Sequence, residues 1–238
     1  MIPARIWCNT ILSRFSKKLD VMISDTQLLD MIKEAKSVDK ERKFKQSLEL
    51  IMVFKDIDVK KGFTLNETVQ LPKTNSPAAV CVMASGDMGL KAKSAKADKV
   101  IDNDELNRLG ANKRESRKLI NSFDFFLADT KLMPAVGKVL GQILGPRGKM
   151  PIPVPFNASI DSFLERFRTS VRVRVKNSSA LSCKIGDEKM EDSDLAANAH
   201  AIISAIEKKL PNGDKNVKKI LIKTTMGKII KQPQMAKK

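Results

Sequence analysis

The spacing of apolar residues along this chain changes several times, and each change marks an element. Leu28, Ile32 and Ala35 recur every three to four residues, which is the period of one helix face. Ser24 with Gln27 three residues later supplies a capping-box start. Leu48, Leu50, Met52 and Phe54 then alternate with other residues, predicting a half-buried strand over 47–54, continued by Ile57 and Val59. A turn at Lys61-Gly62 leads into a second strand ending at Leu71, and Pro72 to Pro77 is a breaker-rich linker.

Beyond the linker the apolar residues bunch into short continuous runs. Ala79 to Ala84, Val100-Ile101 and Phe123 to Ala128 are expected to be strands buried on both faces. Helical segments lie between them: Leu90 to Ala97, Asp104 to Leu109, the strongly basic Asn112 to Asn121, and a helix from Thr130 towards Leu140 that tolerates Pro134 in its first turn. Such alternation predicts a doubly wound α/β unit. Past Pro155 the earlier pattern returns. Ser159 opens a helix with Ile160, Phe163, Leu164 and Phe167 on one face. Val171 to Lys176 alternates three valines with three cations, and 180–185 reads as its hairpin partner. A helix opens at Asp192 or Ser193, and a last strand runs from Val217 to Thr225. The ends therefore predict one discontinuous α+β domain, an antiparallel sheet with helices on one face, at 22–71 and 156–238. It encloses an α/β insert at 72–155, swinging about 71–76 and 153–158.

The join between the two patterns is Gly145 to Pro155, with four prolines, two glycines and two cations in eleven residues. Proline lacks a backbone donor and glycine lacks a side chain to pack, so the stretch is expected to be a stiff basic connector rather than helix or central strand.

Composition narrows the function. Lys and Arg number 44 against 27 Asp and Glu, for a formal charge of +17, and the pI is about 9.8. This points to a polyanionic partner. With one Trp, no Tyr and ten Phe, an RNA would be held by its phosphates, shape and 2′-hydroxyls more than by stacking. No apolar run approaches the ~20 residues of a membrane span, and no membrane partner is expected. Cys8, Cys81 and Cys183 do not form a disulfide framework, and a reducing compartment fits. Residues 1–21 are basic up to Asp20 and are expected to be a disordered extension or an over-long start, with Met22 as the true first residue.

Catalytic signals are missing. His200 is the single histidine, so neither a metal site nor a cofactor is expected. Ser85 to Gly89 sits where a dinucleotide fingerprint belongs but lacks its spacing. Gly145 to Lys149 fails as a phosphate-binding loop, because Met150 stands where a magnesium-holding Ser or Thr is needed. Gly145, Arg147, Gly148 and Lys149 remain candidates for a hinge or a secondary contact to an RNA backbone. The Arg172, Arg174 and Lys176 face suits phosphates. Phe44 stands among cations at Arg42, Lys43 and Lys45, and Thr224 to Gly227 offers hydroxyls and close backbone approach to a ribose.

Leu144 to Pro151 resembles the signature of the ribosomal protein L-one family, in its archaeal and eukaryotic-type branch. Arg42-Lys43-Phe44, Phe123 to Ala128, Gly186 to Met190 and Thr225-Met226-Gly227 match the family in order, covering Met22 to about Lys231. The resemblance implies a two-domain, non-enzymatic protein with a Rossmann-like insert. It implies a cytoplasmic component of the large ribosomal subunit that binds ribosomal RNA in the mobile stalk beside the exit site, helps deacylated tRNA leave, and represses its own mRNA. The RNA contacts it implies are Glu34, Phe44, Thr225, Met226 and Gly227, with Lys43, Lys45 and Lys176 as basic neighbours. Lys228 replaces the proline usual after Thr-Met-Gly. The competing reading is a nucleotide-using α/β enzyme with a basic RNA-docking domain, and a third is a repressor acting off the ribosome.

Overall fold

The computed structural model describes residues 25–38, 42–55, 57, 63–155, 159–176 and 178–231. The expectations for 1–21, the Ser24 cap, Val59 and the Lys61-Gly62 turn lie outside these residues.

The chain is mixed α/β. Helix α1 (Asp25–Ser37) buries Leu28, Met31, Ile32 and Ala35, the face its period predicts. Strand β1 (Ser47–Phe54) buries every second side chain, Leu48, Leu50, Met52 and Phe54. Each such burial is worth about 1.5–3 kcal/mol of transfer free energy, which fixes the strand's register, since a slip of one residue would turn all four outward. β1 lies at the centre of an antiparallel sheet, between β8 (Ala180–Asp187) and β9 (Val217–Thr224), with the two-residue β10 (Ile230–Lys231) outside β9. α1 and α7 (Asp192–Glu207) join the core on this sheet.

The residues between form a second, all-parallel sheet in the order β4-β3-β5-β6. It comprises β3 (Val80–Met83), β4 (Lys99–Ile101), β5 (Phe125–Asp129) and β6 (Ile152–Val154). Every residue of β3 and β5 is buried, because helices cover both faces. α3 (Asn103–Ala111), α4 (Lys113–Ser122) and α5 (Met133–Arg147) pack on one. α2 (Asp87–Ser94) and α6 (Ile160–Arg168) pack on the other.

Four expectations need correction. First, the proline-glycine stretch is not a free connector. Gly145-Pro146-Arg147 is the last turn of α5, where a missing N–H costs one bond at a helix end. Gly148 then caps the helix at φ 70°, a left-handed position suited to glycine. Ile152–Val154 pairs with β5 as an edge strand, a position in a sheet that admits Pro153. Second, β7 (Ser170–Val175) does not pair with β8. It forms a separate two-stranded antiparallel sheet with β2 (Leu65–Gln70), while β8 is held in register by β1. The antiparallel part is therefore two sheets rather than one.

Third, α6 was expected with the outer elements, yet Ile160, Leu164 and Phe167 enter the core of the parallel sheet. The chain passes from this core to the other at Thr169–Ser170, between α6 and β7; of the pivot expected at 153–158, residues 156–158 lie outside the described residues. The two crossings touch: Leu71 N–H donates to Thr169 O at 2.9 Å, and Ala78 N–H to Arg168 O at 3.0 Å. Fourth, the Ser159 and Thr130 hydroxyls do not cap helices. Ser159 meets the Ser162 hydroxyl, and Thr130 donates to Val154 O, tying β6 to the loop before α5.

Candidate nucleic-acid interface

One end of the antiparallel sheet collects the start of β1, the end of β9 and the turn after it. Thr225 is held there by three bonds to Ser47. Its N–H donates to Ser47 O at 3.0 Å, its hydroxyl donates to the same oxygen at 3.1 Å, and Ser47 N–H donates to Thr225 Oγ1 at 3.0 Å. Gly227 N–H closes a four-residue turn onto Thr224 O at 3.2 Å, and Met226 N–H donates to Gln46 Oε1 at 3.3 Å. The turn is thus fastened before any ligand arrives. Its side chains face outward: Met226 is 60% exposed and Thr225 is exposed.

Phe44 lies two residues before Gln46 and is 52% exposed, which rules out a core role for its ring. Lys43 and Lys45 flank it, both exposed. Val38 and Ile229 are also exposed apolar side chains, at the end of α1 and just past the turn. Of the six large apolar side chains exposed among the described residues, four (Val38, Phe44, Met226 and Ile229) belong to segments ending here. A soluble surface rarely gathers apolar groups beside lysines unless a partner covers them. Glu34 is exposed on the last turns of α1, near Lys36, whose ammonium donates to Met190 O at 2.7 Å and pairs with Asp192 at 2.6 Å.

The remaining expected contacts are elsewhere. Ser179 O accepts from Phe54 N–H, at the opposite end of β1 from Ser47, seven strand steps or about 23 Å away. Lys176 is tied to that end and does not join the Phe44–Thr225 group. Arg172 and Arg174 are not a free phosphate-facing row. The Arg172 guanidinium donates to Gly148 O at 2.6 Å and stands 4.9 Å over the Phe125 ring. Arg174 donates to Pro146 O at 3.2 Å. Both complete the carbonyl-rich C-terminus of α5, where positive charge is favoured. Burial pushes the Arg172 guanidinium below its ordinary value, with Asp124 opposing and Arg174 adding to the shift.

Gly145, Arg147, Gly148 and Lys149 sit at the same junction. Lys149 donates to Phe123 O at 2.5 Å and Ile120 O at 3.1 Å, and Arg147 to the Asn121 amide oxygen. A side chain at Gly148 would run into the Arg174 guanidinium. Ser85 to Gly89 is a βα turn entering α2, and His200 is an exposed residue of α7. Among the described residues there is no group of three or more metal-ligating side chains, and no helix is long and apolar enough to cross a membrane.

Two positions carry structural weight that no sequence pattern flagged. Gln46 is buried at the root of the turn. Asn198, wholly buried on α7, accepts from Lys73 N–H at 3.1 Å and donates to Lys73 O at 2.7 Å and Ile185 O at 2.9 Å. A polar residue breaking the apolar face of α7 was the available signal for Asn198.

Comparison with known proteins places these features in a family. The family described as Ribosomal protein L1p/L10e matches residues 17–228. A large ribosomal subunit protein uL1 of Cenarchaeum symbiosum is 68% identical over 211 residues, covering 89% of this chain and 98% of the relative. Its counterpart in Thermofilum pendens is 47% identical over 214 residues, covering 88% and 94%. That of Methanothermobacter thermautotrophicus is 39% identical over 207 residues, covering 86% and 98%.

Proposed function

The chain belongs to the ribosomal protein L1p/L10e family, and from that premise we propose that it binds large-subunit ribosomal RNA through the sheet end built from Phe44 and Thr225 to Gly227. It is a non-enzymatic constituent of the large subunit, acting in the cytoplasmic ribosome. The carrying observation is the pre-fastened turn: Thr225 bonded three times to Ser47 beside an exposed Phe44 and Met226. A ready-made backbone surface contacts a folded RNA without ordering cost. The exposed apolar pair covers ribose or base faces, and Lys43 and Lys45 reach phosphates.

In this reading the two cores act as two domains. The antiparallel one grips the RNA, and the parallel, Rossmann-like one is carried outward on the crossings at 71–78 and 168–170. The protein thereby forms the mobile stalk beside the exit site and helps deacylated tRNA leave. A related fold in its own mRNA would engage the same end and repress translation. Lys176 has no part in this surface, and Glu34 contributes at its margin.

Binding of the full chain to a stalk RNA fragment should fall steeply with salt, and Met226→Asp should weaken it with an unchanged melting temperature. The chain should also sediment with large subunits. Normal binding by both Met226→Asp and Thr225→Val would remove this surface as the RNA site.

A further inference from the structure

Where the two cores meet they enclose a cleft of about 500 Å3 that the RNA-facing end does not use. Among its described lining residues seven are Lys or Arg, and Asp124 is the one carboxylate. Two of the cations are answered by acids: Arg168 by Asp98 at 3.6 Å and Lys184 by Asp187 at 2.7 Å. Arg147, Lys149, Arg172 and Arg174 bond to neutral groups instead, namely the Asn121 amide and the carbonyls of Ile120, Phe123, Gly148 and Pro146. Asp124 approaches Lys149 only to 4.0 Å. Leaving aside Lys73, which is exposed, four positive groups therefore share one carboxylate in a partly dehydrated space. Lys149 registers the imbalance: burial lowers its ammonium's affinity for the proton, Asp124 opposes, and Arg172 and Arg147 add to the lowering.

Like charges gathered in a half-closed cleft repel more strongly than on an open surface. A polyvalent anion is what relieves them. The donors come from both sides of the cleft: Arg172 and Arg174 from β7, Arg147 from the end of α5 and Lys149 just beyond it. We propose that this cleft is a second anion site, taking a phosphate group from an RNA backbone or a free polyphosphate, chiefly through Arg147, Lys149 and Arg174. An anion there bonds both cores at once and holds them together. The site is independent of the Phe44–Thr225 surface.

Calorimetry of the full chain with pyrophosphate at constant ionic strength tests this. One equivalent should bind. Arg174→Gln and Lys149→Gln should each weaken it about tenfold, the loss of one charge-assisted bond. Lys118→Gln removes the same charge from α4, away from the cleft, and should bind like the unaltered chain. An unstructured oligouridylate that displaces pyrophosphate assigns the site to a nucleic-acid backbone. Failure to displace it assigns the site to free phosphates. Equal weakening in all three variants would mean that diffuse net charge binds the anion, and overturns the proposal. So does the absence of saturable binding up to about 10 mM, beyond the range of specific affinity.

Discussion

Thr225→Val is the sharpest test of how the RNA-facing turn works. Valine keeps the shape and removes the hydroxyl, and with it two of the three bonds to Ser47. A net intramolecular hydrogen bond is worth about 0.5–1.5 kcal/mol. Thr225 is exposed, so water replaces part of the loss and about 1 kcal/mol is expected in total. For a chain of this size that is a fall of roughly 2–4 °C in melting temperature. The RNA effect is more specific. A hydroxyl has one donor and two acceptor lone pairs. Ser47 O takes the donor and Ser47 N–H takes one lone pair, leaving one acceptor. Thr225 can therefore only accept from a ribose 2′-hydroxyl. Losing that bond, together with looser hold on the turn, should weaken affinity about 5- to 30-fold. The assay is filter binding with stalk RNA carrying 2′-deoxy or 2′-O-methyl at single positions. At the contacted ribose both should weaken the unaltered protein alike, since neither donates, and neither should weaken Thr225→Val further. A 2′-O-methyl tolerated where 2′-deoxy is not would show that the hydroxyl donates, and would refute the reasoning.

Three further outcomes are expected. Phe44→Ala should cost about 1–3 kcal/mol of RNA affinity if the ring stacks on a base, and leave the urea midpoint unchanged because the ring is exposed; a lowered midpoint would show that the ring packs internally. Asn198→Leu strands the two Lys73 groups and Ile185 O, and should lower stability by about 3 kcal/mol in urea unfolding. Burial, then Asp214, raise the Glu207 carboxyl above its ordinary value, with His200 opposing. A carboxyl raised by folding stabilises below its unfolded value, about 4.3, and loses that contribution as pH rises through the folded one. Glu207→Gln should therefore melt higher than the unaltered chain near pH 7 and show no such advantage near pH 4, as read by thermal melts.

Much of this fold was legible because burial writes a period into the chain. β1 alternates and α1 repeats every three to four residues, while β3 and β5 are apolar throughout because helices cover both faces. Periodicity says which side of an element is buried, not what lies against it. The cations of β7 read as a solvent-facing row, yet Arg172 and Arg174 meet the end of α5. The short turn after β7 suggested a hairpin, but seven residue pairs bind β8 to β1 instead. Pro146 and Pro153 predict breaks in regular structure. Both occupy positions, a last helical turn and a sheet edge, where the missing N–H matters least. At the candidate site, exposure of Phe44 was undecidable from its flanking charges. The Ser47–Thr225 bonds join residues 178 positions apart, a distance no local pattern reports.

The paired crossings between the cores also constrain any displacement of one core against the other. On one side the chain passes from α6 through Thr169 directly into β7, with no spare residues. On the other, Asn198 clamps Lys73, and only 74–77 remain before Ala78 bonds to Arg168. Two short attachments side by side behave as the pins of a door. Attachments this short resist pulling apart and leave turning about the line through them as the least costly displacement. In the proposed two-domain reading, relative motion of the cores would then have essentially one degree of freedom, and a single distance measured across the cleft would report it.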